Sequence, residues 1–119
     1  MNREMFALLA LWIPLLGDAS AQCGPDAAPL SEQLAQKGMT LSTPLDADEL
    51  ENGHRITIRE SGLVLPFGYS NKTWLDMKKA MQAGDQLYLL AQHDGHFRME
   101  RYILVRNGCI IRRMLIFIT

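Results

Sequence analysis

Two histidines, His93 and His96, flank an Asp94-Gly95 pair. Set on either side of a tight turn, their imidazoles would face each other, and imidazole is the side chain most often found on a metal. A zinc centre needs three or four ligands. No third donor follows at a recognisable spacing, and His54 is remote in sequence. A centre built on His93 and His96 would suit a small metal-dependent hydrolase; a polar hairpin tip accounts for the same residues. Arg101 and Arg112 form the second set. In a hairpin closed by Asn107-Gly108, both fall on one apolar face, where an unpaired guanidinium is costly. The counter-charge would come from Asp46, Asp48, Glu49, Glu51 or Glu60, or a one-residue bulge would turn one arginine outward. The alternative is a small anion pocket lined by Arg101, Arg112 and Tyr88.

Other chemistries lack their residues. Ser61 and Ser70 sit in turn-like stretches without a histidine and carboxylate pattern, and no G-x-S-x-G elbow occurs. There is no Walker loop and no dinucleotide fingerprint. Neighbouring carboxylates occur in residues 46–51, which read as a solvated face. No catalytic residue and no cofactor is expected.

These side chains need elements to position them. Residues 71–83 read as the main helix: Trp74, Met77, Ala80 and Met81 make one apolar stripe, Thr73 with Asp76 fits a capping box, and Gly84 stops the run. A shorter helical stretch falls at 31–37, ended by Gly38, and residues 44–52 read as one helical turn or a solvated loop. Residues 54–60 alternate as a half-buried strand. Residues 63–69 contain Pro66 and Gly68, which place them at a sheet edge or bulge. Three antiparallel strands follow, at 86–92, 97–106 and 109–118, with turns at Asp94-Gly95 and Asn107-Gly108. A two-residue second turn would pair Val105 with Ile110, Ile103 with Arg112, Arg101 with Met114, Met99 with Ile116 and Phe97 with Ile118. That face should pack on the Trp74 helix. The opposite face, with Arg98, Glu100, Tyr102, Leu104, Arg106 and Cys109, should be covered in part by the N-terminal segment. The fold expected is α+β: an antiparallel sheet of about four to five strands with one main amphipathic helix on one face.

The stretch from Trp74 onward reads W-L-x-x-M-K-K-A-M-x-A-G-D-Q-L-Y, a hairpin, then L-V-R-N-G-C-I-I. It resembles small uncharacterised bacterial proteins that share an amphipathic tryptophan helix, a Gly-Asp step, an aromatic strand and a final V-R-x-G hairpin. The resemblance covers under half of the chain and implies a fold, with no activity or ligand.

The destination of the chain is written at its start. Residues 5–16 are an uncharged apolar run, Gly17 and Asp18 break it, and Ala19-Ser20-Ala21 follows. That order is a secretory signal over residues 1–21, with cleavage before Gln22. The apolar run is too short to span a membrane, so no transmembrane anchor is expected after cleavage. Residues 22–119 would form one small exported domain, periplasmic or secreted. In an oxidising compartment the two cysteines, Cys23 and Cys109, should pair. Gln22 stands where a lipobox needs a small residue. Residues 22–60 hold seven acids and three bases, and residues 61–119 four acids and eight bases. The mature chain is close to neutral, so nucleic acid is not an expected partner. The reading is an interaction or binding protein, such as an inhibitor, an immunity-type protein or an envelope accessory subunit, with another protein as partner. An anion carrier and the histidine-centred hydrolase are the alternatives. A flat exposed patch on the basic half would favour the protein partner.

Overall fold

The computed structural model describes residues 23–119; the leader expected over residues 1–21 lies outside them. The elements are β1 (Ala28–Pro29), α1 (Leu30–Leu34), β2 (Met39–Leu41), α2 (Ala47–Gly53), β3 (Arg55–Thr57), β4 (Val64–Pro66), α3 (Asn71–Ala80), β5 (Gln86–Asp94), β6 (Phe97–Arg106) and β7 (Cys109–Ile118). The class is α+β. Five antiparallel strands run in the order β1-β7-β6-β5-β2, and α3 packs on one face. β3 and β4 form a separate two-stranded ribbon. Pro66 ends that ribbon opposite Arg55, where its missing N–H interrupts no interior ladder.

The hairpins follow from turn chemistry. Asn107 and Gly108 both have positive φ, 52° and 78°, as a two-residue type I′ loop requires. At the other end β5 runs on to Asp94, which pairs with Phe97. The loop is therefore Gly95-His96, one residue later than expected, with Gly95 at φ 64°.

The register of β7 departs from the expected one. Val105 does oppose Ile110, but beyond it Leu104 opposes Arg112, Ile103 opposes Arg113, Tyr102 opposes Met114, Arg101 opposes Leu115 and Met99 opposes Ile118. Shifts at Leu104/Val105 and Glu100/Arg101 leave Ile111 and Ile116 as extra residues on β7. Each is a bulge: the first moves Arg112 to Leu115 to the faces opposite those expected, and the second returns Phe117 and Ile118 to the expected ones.

The covers of the two faces are also exchanged, although β5 and β6 keep the expected alternation. α3 packs on Leu87, Tyr102, Leu104 and Met114, while Leu90, Ile103, Val105 and Ile110 are covered by Leu30 of α1 with Met39 and Leu41. The staple explains the exchange. Cys23 is bonded to Cys109, with Cα atoms 5.4 Å apart. Cys109 opposes Arg106 and so shares the α3 face with Leu104. From Cys23 the chain passes around the edge of β7 as β1, then turns into α1 on the far side.

α3 begins without the expected Thr73–Asp76 box. A 3-10 turn, Gly68–Ser70, leads straight into it, and Asn71 donates its side-chain amide to the Pro66 carbonyl at 3.0 Å. Its stripe is as read: Trp74 and Met77 are buried, and Ala80 and Met81 pack beside them. It stops at Ala80, three residues early, because Met81 turns extended. α1 is likewise shorter than residues 31–37, and α2 realises the helical turn within 44–52, capped by Asp46.

Candidate functional site

The α3 face is closed by a polar and aromatic network. Trp74, fully buried, donates its Nε1–H to Glu51 Oε2 at 2.7 Å, and Lys78 Nζ donates to the same oxygen at 2.8 Å. Those bonds, Lys78 first, hold the Glu51 carboxyl below its ordinary pKa. His54 stacks on Phe67 with ring centres 4.6 Å apart. In the neutral ring, His54 Nδ1 donates to the Leu50 carbonyl at 2.9 Å, so Nε2 accepts from the Tyr102 hydroxyl at 3.3 Å. Phe67 adopts a left-handed conformation, φ 62°, to insert between His54 and Trp74. Every group in this network has a partner within it, and it reads as core. The sequence carries no local signal for it, because His54, Phe67 and Tyr102 meet only through the fold.

The sequence-derived candidates are separated. His93 and His96 are exposed at the β5–β6 tip, and Asp94 pairs with Lys37 at 3.4 Å. Among the described residues, no group of three or more histidine, cysteine or carboxylate side chains is placed to hold a metal ion. Arg101 and Arg112 lie on opposite faces. The Ile111 bulge turns Arg112 to the α3 side, where it is exposed. There it lines a groove of about 400 Å³ with Lys79, Arg106 and the Cys23–Ala27 segment. The groove is not strongly cationic, since Asp26 lines it too and Asp85 holds Arg106 through two bonds of 2.9 and 2.8 Å. Tyr88 shares the α1 face with Arg101, one pair further along the ladder.

Arg101 does sit on an apolar face, with a different partner from the acids expected. Its Nη2 donates to the side-chain oxygen of Gln33 on α1 at 3.0 Å, a neutral acceptor. Arg113, opposite Ile103, lies diagonally beside it on the same face. Burial first, then the charge of Arg113, lowers the pKa of Arg101. Among the described residues, neither arginine makes an ion pair with a carboxylate.

α1 is five residues long and covers only part of this face. The rest of it, toward the end of β7, leaves Phe97, Leu115 and Ile118 39%, 49% and 57% exposed around the two arginines. Among the described residues, no strand pairs with the outer edge of β7 beyond Ile110. Large apolar side chains grouped in the open, with arginine among them, have the composition of a protein interface core.

No family model, curated protein or solved structure matches this chain.

Proposed function

We propose that this chain is a small exported interaction protein, with residues 22–119 as its mature form and another protein of the cell envelope or exterior as its partner. The supporting observation is the half-covered α1 face: Leu115, Ile118 and Phe97 exposed around Arg101 and Arg113 on the basic half of the chain. The Cys23–Cys109 bridge agrees with an oxidising compartment and hence with the leader-like start. The histidine tip and the Arg112 groove lend less: among the described residues the tip has no convergent ligands, and the groove is lined by Asp26 as well as by its cations.

The test is affinity capture from an envelope fraction using the disulfide-bonded protein beside a Leu115→Asp variant. Leu115 is exposed, so the variant should melt with the wild type. A partner held by the wild type and lost by the variant is the expected result. Capture that is indifferent to Leu115 would reject this face as the binding surface.

A further inference from the structure

We infer that the open end of the α1 face docks an acidic, apolar segment of a partner protein, one of whose carboxylates lies between Arg101 and Arg113. This rests on the interaction reading above and adds the chemistry of the partner.

Among the described residues, no carboxylate of the chain pairs with Arg101 or Arg113. Glu51 serves Trp74 and Lys78, Asp85 serves Arg106, Glu100 pairs with Arg98, Asp94 with Lys37, and Glu60 accepts from Tyr69. Each meets a group other than Arg101 or Arg113. Glu32, on α1 itself, is exposed and makes no ion pair with either arginine among the described residues. Two like charges therefore share one half-buried face, and among the described residues the neutral amide of Gln33 is the sole side-chain oxygen bonded to Arg101. A carboxylate there would relieve their repulsion and complete a charge-assisted pair, while Leu115 and Ile118 would bury apolar side chains on either side of it.

The same features argue against the other occupants. Two copies docked through this face would bring four arginines together. Strand addition along the edge of β7 is hindered by the bulges at Ile111 and Ile116, which leave only Arg112 to Leu115 in regular register between them.

The experiment uses the disulfide-bonded, isotope-labelled protein and two short synthetic peptides, one of alternating leucine and glutamate, the other with glutamine in place of glutamate. The glutamate peptide should shift the backbone amides of Arg101, Arg113, Leu115 and Ile118. It should bind at least about tenfold more tightly than the glutamine peptide, by a margin that shrinks with added salt. Arg101→Met should abolish that margin, so that the two peptides bind alike. Should Arg101→Met fail to fold, Arg113→Ser, at an exposed position, carries the test. Equal binding of both peptides to this face would overturn the acidic partner while sparing the interaction reading. Absence of shifts there at about 1 mM of either peptide would overturn the inference, and the Leu115→Asp capture would then judge the broader reading by itself. Sedimentation showing a dimer that Leu115→Asp dissolves would also overturn it, in favour of a second copy.

Discussion

Trp74 donates its indole N–H to Glu51 across 2.7 Å, tying α3 to α2 through one buried ring and one carboxylate oxygen. Two losses can therefore be separated at one position. Trp74→Ala removes the largest side chain between helix and sheet and should cost about 3–5 kcal/mol. Trp74→Phe keeps most of the apolar bulk and removes the donor to a charged group, which should cost about 1.5–3 kcal/mol. Urea melts of the two variants check both figures. A Phe variant as stable as the wild type would mean that the bond contributes nothing net.

Acid should weaken the fold through two carboxylates. Glu51 titrates below its ordinary 4.5 because Lys78 and then Trp74 donate to it, and Asp85 below 3.8 because Arg106 does. Each stays ionised in the fold at a pH where the unfolded chain has already taken up a proton. Their stabilisation is complete above those ordinary values and is lost as pH falls through the lower folded ones. Unfolding midpoints should hold steady from neutrality down to about pH 5 and then decline. The double variant Glu51→Gln, Asp85→Asn should start lower and decline less. An acid limb unchanged in that variant would place its origin in other groups.

Thiol titration of the denatured, unreduced protein should find no free cysteine, as the Cys23–Cys109 bond requires. Cys109→Ser should destabilise the protein by about 2–4 kcal/mol, because the bond closes a long loop and so restricts the unfolded chain.

Gly38→Ala should be unusually damaging for a surface position. Gly38 has φ 78°, its carbonyl accepts from the His93 amide at 3.0 Å, and an added β-carbon would collide with the His93 carbonyl oxygen. Left-handed strain and the clash together should cost at least about 2 kcal/mol. Gly108→Ala, at the same φ with open space around it, should cost about 1–2 kcal/mol. A calorimetric comparison that ranks the two the other way would show that the backbone at Gly38 yields easily.

Much of the architecture was written in local pattern. Asn107-Gly108 announces its hairpin because both residues tolerate positive φ, and the Trp74–Met77–Met81 spacing announces the buried side of α3. The orientation of the middle of β7 was not legible, for a reason that lies in Ile110-Ile111. Two adjacent isoleucines satisfy a regular strand or a bulged one equally well, and the choice decides where Arg112 to Leu115 point before the second bulge at Ile116 restores the alternation. Arg101 was legible as a charge on an apolar face. Its Gln33 partner was not, since α1 reaches that face only by way of the disulfide and the turn around β7. The candidate site inherits both limits: Arg101, Phe97 and Ile118 could be read from alternation onto one face, whereas Arg113 and Leu115 joined them only through the Ile111 bulge.

The cysteines lie 86 positions apart, close to the two ends of the described chain. On the proposed export route the bond can form only once Cys109, near the carboxyl end, has joined Cys23 where thiols are oxidised. With two cysteines in the sequence there is no alternative pairing within one molecule and nothing to reshuffle. Under reducing conditions the latch is open, and the segment before β1 is held by non-covalent contacts alone. The bridge thus acts as a timer as well as a staple, closing after the last hairpin exists and not before.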